Sequence, residues 1–277
     1  MIHETINLKT VFKTLTNDAT LTSYCPDNYD EFSKGRTRKA LIVLPGGGYE
    51  FLSEREAEPV ALRFMGFDIA CFVLKYTIAP KIKYPSPVEE VLAAVSYIRK
   101  NSDKYHVDTN SISVIGFSAG GHLAASASCY YHDKKILDKN NLTEEETKIN
   151  GCILCYPVIS NDFGHEGTMR CISEGYKEDL LDYFSIEKHV TNKFPKTFFF
   201  HTSLDDAVNV ENSLALASEL HKAGVEFEMH IYPYGQHGLS LADKSVYFEN
   251  TTKEFLDEVE PDKDWARLAI DFIKRYI

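Results

Sequence analysis

Apolar positions along this chain fall into two rhythms. The runs "KALIVLP" (Lys39 to Pro45), "DIACFVLKY" (Asp68 to Tyr76), "SISVIGF" (Ser111 to Phe117), "GCILCYPVI" (Gly151 to Ile159), "KTFFFHT" (Lys196 to Thr202) and "EFEMHIYP" (Glu226 to Pro233) are short and rich in β-branched and aromatic residues. Several are nearly continuous in apolar character, as strands covered on both faces are. Between them, apolar residues recur at helical spacing over Glu54 to Met65, Pro87 to Lys100, Ala119 to Tyr130, Glu211 to Ala223 and Asp264 to Tyr276. Pro87 suits a first helical turn and Gly224 a helix stop. Upstream, Thr5 to Lys13 and Thr20 to Cys25 alternate polar and apolar around "TNDA", which predicts an antiparallel hairpin. The whole pattern predicts an α/β fold: a mostly parallel, twisted sheet of about eight strands with helices on both faces.

Two stretches break the rhythm. His132 to Lys148 is polar and charged and is expected to be a surface loop. Ser160 to Phe194 mixes glycine, aromatic and charged residues after a strand's C-terminal end, where open α/β sheets build their pockets, and is expected to form a cap facing substrate. With no repeat, low-complexity tract or linker, residues 1–277 are expected to form a single domain.

Composition narrows the partners. Of the 277 residues, 30 are Lys or Arg and 41 are Asp or Glu, a net charge of −11 that argues against nucleic acid or an anionic membrane. Neutral and cationic ligands remain open. The six cysteines are too sparse and irregular for a disulfide framework and suit a reducing, cytoplasmic setting. Cys152 and Cys155 form a C-x-x-C, but strand alternation points them to opposite faces, and no second ligand pair accompanies them. The start of the chain lacks a secretory-signal pattern, and no run approaches the ~18 apolar residues of a membrane span.

Candidate chemistry centres on "VIGFSAGGHLAAS" (Val114 to Ser126). Here G-x-S-x-G lies between a predicted strand and a predicted helix, the context in which a sharp turn exposes the serine hydroxyl, making Ser118 a candidate nucleophile. Serine needs a base, and the base an orienting acid. "YGQHGL", after the last strand, supplies His237 between Gly235 and Gly238. "SLDDAVNVENS" supplies Asp205 or Asp206, and D-x-x-V favours Asp205. "LPGGGY" follows the first long strand, so Gly47 and Gly48, with Ala119 at the start of the following helix, are the candidate oxyanion donors. The triple glycine is not a nucleotide motif, since neither G-K-[ST] nor G-x-G-x-x-G goes with it. His122 and His201 are expected to be structural.

In this set of motifs the chain resembles the α/β-hydrolase superfamily, and within it the esterase/lipase group that includes bacterial acetyl-xylan esterases and related sugar-ester hydrolases. "PGGGY", "SEREAEPVALRF", "VLKYTIAP", "YPSPVEE", "GFSAGGHLAAS", "HTSLDDAVNVENS" and "YGQHG" occur in that group's order. The resemblance implies Ser118 as nucleophile, Asp205 as acid, His237 as base, and Gly47, Gly48 and Ala119 as oxyanion donors. There are two departures: Pro45 stands where many esterases have histidine, and Asn209 where proline is usual. The implied function is a serine carboxylesterase removing small acyl groups, acetyl foremost, from a sugar or similar alcohol, with no metal or organic cofactor. Tyr49 and Tyr156 are candidate substrate-binding walls. The expected partner is a small-molecule ester, with homo-oligomerisation left open. The rival readings are an oligopeptidase-type serine peptidase, which needs an extra domain for which this chain has no room, and a non-catalytic hydrolase-fold binding protein.

Overall fold

The computed structural model describes residues 1–31, 34–163, 165–173 and 178–277. Among these residues one sheet runs in the order β1-β2-β4-β3-β5-β6-β7-β8. Its strands are β1 (Thr5–Asn7), β2 (Thr20–Tyr24), β3 (Arg38–Leu44), β4 (Ala70–Lys75), β5 (Val107–Phe117), β6 (Gly151–Cys155), β7 (Lys196–Thr202) and β8 (Phe227–Tyr232). β1 pairs with β2 and β2 with β4 antiparallel; every later pairing is parallel. This is the α/β-hydrolase architecture expected from the sequence.

The strands read as continuous apolar runs because both faces are covered. In β3, Ala40, Ile42 and Leu44 enter the core with the helices α2 (Ser86–Lys100), α3 (Ala119–Tyr130) and α4 (Glu211–Lys222), while Leu41 and Val43 enter the core beneath α1 (Glu58–Met65) and α5 (Trp265–Tyr276). Each of the Leu, Ile and Val side chains, wholly buried or nearly so, is worth roughly 1.5–3 kcal/mol. Cys152 and Cys155 fall into opposite cores, and burial pushes both thiols up, Cys152 to about 12. Neither is poised as a thiolate. No described helix is long and apolar enough to cross a membrane.

Local chemistry overrides the hydrophobic rhythm at several places. The first hairpin arm stops at Asn7, whose side chain accepts Lys9 N–H at 3.0 Å and starts a helical turn, Leu8–Val11, that buries Leu8. The helix expected from Glu54 is broken at Ala57 (φ −105°, ψ −104°): Glu54–Glu56 forms a 3-10 turn, and α1 begins at Glu58. The surface loop expected over 132–148 is instead two short helices, Lys134–Asn140, capped by Asp133, and Glu144–Thr147, closed by a reciprocal Thr143–Glu146 capping box. Of the segment 160–194, residues 164 and 174–177 lie outside the described residues. The remainder holds short helices at Glu166–Ile172 and Glu178–Phe184, with Phe184 and Ile186 in the core.

Since β3 and β5 to β8 are parallel neighbours, their C-terminal ends share one edge of the sheet. The loops beginning at Pro45, Ser118, Tyr156, Ser203 and Pro233 therefore meet there, although almost 200 residues separate the first from the last in sequence.

Candidate active site

At the end of β5 the chain must leave the sheet and enter α3 at once. Ser118 makes that turn with φ 53° and ψ −119°, a conformation costly for any residue with a Cβ. It is held by Ser118 N–H to Cys155 O (3.0 Å) and by Val158 N–H to Ser118 O (3.2 Å). The flanking glycines are obligatory for a spatial reason: a Cβ on Gly116 would sit 2.1 Å from Gly120 O, and one on Gly120 2.2 Å from Leu44 O. The turn projects the hydroxyl toward the loop that follows β8.

That loop brings His237 Nε2 to 2.8 Å from Ser118 Oγ, and His237 Nδ1 lies 2.8 Å from Asp205 Oδ2. Asp205 shapes its own loop, its Oδ1 accepting Ala207 and Val208 N–H at 3.0 and 2.8 Å, which frees Oδ2 for the imidazole. Burial works to raise the Asp205 carboxyl, yet the hydrogen bonds from His201 and His237 and the Val208 amide prevail and hold it well below the ordinary carboxylate range. An ionised Oδ2 requires a proton on Nδ1, so the neutral imidazole presents its Nε2 lone pair to the serine hydroxyl. Asp206, the sequence alternative, instead accepts the His237 backbone N–H at 2.9 Å and pins the loop.

His201 and His122 are wholly buried. His201 Nδ1 lies 2.8 Å from Ser213 Oγ, and its Nε2, 3.0 Å from Val208 O, is 3.4 Å from Asp205 Oδ2, so it backs the acid. His122 Nε2 donates to Phe184 O (3.0 Å) and its Nδ1 lies 3.0 Å from Tyr49 OH, with its ring stacked on Phe184. Burial drives it down to about 4, which keeps it neutral near pH 7.

Gly47 and Gly48, at φ 126° and 64°, share with Ser118 and His237 the wall of a cavity of about 490 Å³. A Cβ on Gly47 would lie 2.2 Å from Phe51 O. Ala119 is buried as the first residue of α3, so its N–H belongs to the unshared amides at a helix start. Tyr49 and Tyr156 depart from the sequence expectation. At 0% and 2% exposure, with their hydroxyls taken up by His122 and by Glu56, neither lines this cavity. The aromatic walls are Phe51 and Phe248, exposed at the cavity mouth, with the Arg55 guanidinium 4.3 Å from the Phe248 ring centroid. Nothing in their sequence context marks them as site residues. His165 and Gly167, from segment 160–194, complete the wall. Among the described residues, no group of three His, Cys, Asp or Glu side chains converges to hold a metal.

Comparison with known proteins gives a consistent picture. The BD-FAE family model matches residues 27–220. The chain is 34% identical over 216 residues to endo-1,4-beta-xylanase B of Butyrivibrio fibrisolvens (76% of this chain, 34% of that protein). It is 28% identical over 243 residues to an acetylxylan esterase of Xylanibacter ruminicola (83% of this chain, 48% of that protein). It thus spans between a third and a half of the length of these curated relatives. The crystal structure of an acetyl ester-xyloside bifunctional hydrolase from Caldicellulosiruptor lactoaceticus superposes with a TM-score of 0.80 at 32% identity, covering 98% of this chain and 95% of that one.

Proposed function

The chain belongs to the BD-FAE family, and from that premise we propose that it is a serine carboxylesterase releasing small acyl groups, acetyl foremost, from hydroxyls of a sugar or similar alcohol. The observation that carries this reading is the unbroken hydrogen-bonded series Asp205–His237–Ser118, with both links at 2.8 Å, opening onto a cavity walled by Gly47 and Gly48. The acetyl preference draws support from the relatives, two of which are described as acting on acetyl esters.

In the proposed reaction Ser118 Oγ attacks the ester carbonyl carbon while its proton passes to His237 Nε2. The carbonyl oxygen takes the negative charge and is met by the N–H groups of Gly47, Gly48 and Ala119. Asp205, held ionised, stabilises the imidazolium. Collapse breaks the bond to the alcohol oxygen, which leaves with the His237 proton. Water then attacks the acyl-serine with His237 again as base, returning the free carboxylic acid and Ser118. These steps use the chain's own groups in a cytoplasmic enzyme.

A fluorophosphonate probe together with a panel of nitrophenyl esters and acetylated xylo-oligosaccharides tests the reading. Stoichiometric labelling at Ser118, and higher kcat/KM for acetyl than for octanoyl esters, is the expected result. Folded protein that neither labels nor hydrolyses any ester would mark it as a binding protein, and cleavage of peptides in preference to esters would mark it as a peptidase.

A further inference from the structure

One buried acid takes no part in the steps above. Glu56, in the 3-10 turn ahead of α1, is 4% exposed. Its Oε2 accepts Gly46 N–H at 2.8 Å, and its Oε1 accepts Tyr156 O–H at 2.7 Å. The Tyr156 oxygen in turn accepts Ser240 N–H at 2.9 Å, and Ser240 Oγ donates back to Arg55 O at 2.6 Å, beside Glu56. Gly46 immediately precedes the proposed oxyanion glycines. Ser240 lies three residues after His237, and the Tyr156 ring stands edge-on to the imidazole with centroids 5.0 Å apart.

The sheet does not supply this connection. β3 and β8, which carry the oxyanion and base loops, are separated by β5, β6 and β7. We infer that Glu56 is a positioning residue for acyl transfer: its carboxylate ties the loops after β3, β6 and β8 into one unit, fixing the oxyanion amides relative to the imidazole.

The local sequence is built around this bond. The break at Ala57 turns Glu56 inward instead of leaving it on a continuous amphipathic helix. At Gly46 a Cβ would sit 2.7 Å from Glu56 Oε2 and 3.1 Å from Ser118 Cβ, so only glycine lets the carboxylate and the nucleophile flank one backbone position. If Glu56 were only filling space, an apolar side chain would avoid the cost of desolvating a carboxyl. Burial does push this acid above its ordinary value, while Tyr156 O–H, Gly46 N–H and the nearby His237 pull it back. Both hydrogen-bonding partners are donors, and an ionised carboxylate accepts them on its two oxygens without setting a proton of its own against either.

This inference rests on the serine mechanism proposed above, so its test includes S118A. The variants are E56Q, Y156F and E56Q/Y156F, assayed with nitrophenyl acetate and by thermal unfolding. Y156F keeps the ring against His237 and removes only the hydroxyl. E56Q is expected to lower kcat about 10²-fold with KM changed less than about threefold, because the amide sets a donor against Gly46 N–H or Tyr156 O–H. Y156F is expected to lower kcat about tenfold, and the double variant to be no worse than E56Q, as members of one network are. Unchanged kcat in E56Q, or losses in the double variant equal to the product of the singles, would overturn the role. Should E56Q fail to fold, the kcat of Y156F decides: reduced supports the network, unchanged overturns it. An inactive S118A with an unimpaired E56Q removes only the Glu56 role, whereas an active S118A removes the serine mechanism and this role with it.

Discussion

At the residue scale, one position separates two neighbouring carboxylates by what they contact. Asp205 meets the imidazole ring and Asp206 the backbone of the same histidine. Asp205→Asn should therefore lower kcat by about 10³-fold or more, because an amide no longer enforces a proton on Nδ1, whereas Asp206→Asn, which keeps an acceptor oxygen for the His237 amide, should cost less than about tenfold. Ser118→Ala and His237→Ala should each lower kcat about 10³-fold or more with unfolding curves unchanged. Steady-state hydrolysis of a nitrophenyl ester measures all four, and a larger loss in Asp206→Asn than in Asp205→Asn would move the acid by one residue. The D-x-x-V spacing favours Asp205 in the sequence because the motif encodes a turn: the side chain accepts the amide of Val208.

At the scale of elements, the strand–turn–helix around Ser118 has no room for error. Gly116→Ala places a Cβ against a backbone carbonyl that cannot swing away, and the expected loss is about 3 kcal/mol or more, measured by denaturant unfolding. Gly224→Ala, in open space at φ 72°, should cost only about 1 kcal/mol, since strain alone is involved. A second element-scale prediction concerns the 3-10 turn Glu260–Asp264 that leads into α5. Asp262 Oδ2 is buried with no hydrogen-bond partner among the described residues, and burial, with Glu258 nearby, raises the acid to about 7. Unfolded, it ionises at ~4. The unfolded chain thus binds fewer protons than the folded one between these values, and stability falls as pH rises through that window. Asp262→Asn should raise the unfolding midpoint at pH 8 and leave it unchanged below pH ~4; a lower midpoint at pH 8 would refute the assignment.

At the scale of the whole molecule, the excess of 41 acidic over 30 basic residues sets the field in which substrates arrive. Around the cavity, Glu50 and Glu54 are paired with Arg170 and Lys75, and Arg55 and Glu56 carry opposite charges, so the local charges balance and the excess of the whole chain is what remains. Neutral acetyl esters should show kcat/KM nearly independent of ionic strength. For anionic esters of the same alcohol kcat/KM should be lower and should rise as salt screens the repulsion over about 10 Å at 0.1 M. Equal salt dependence for the two substrates would show that the net charge is not felt at the site.

What the chain determines by itself is whatever is encoded within a few residues. The buried strands were legible because sheets covered on both faces leave continuous apolar runs, and the serine turn because glycines mark backbone that tolerates no side chain. The two short helices within 132–148 were legible in principle from Asp133 and the Thr143–Glu146 box, though overall polarity suggested a loop. Tertiary structure alone decided which aromatics face the cavity: Tyr49 and Tyr156, adjacent to site motifs, turn away to bond His122 and Glu56, while Phe51 and Phe248, nearly 200 residues apart, form the mouth. It also decided the place of Glu56, which reads in sequence as one charged residue of a helix start. Hydrogen bonds between loops that leave different strands depend on which strands neighbour one another, and that order is a property of the folded sheet, carried by no local pattern.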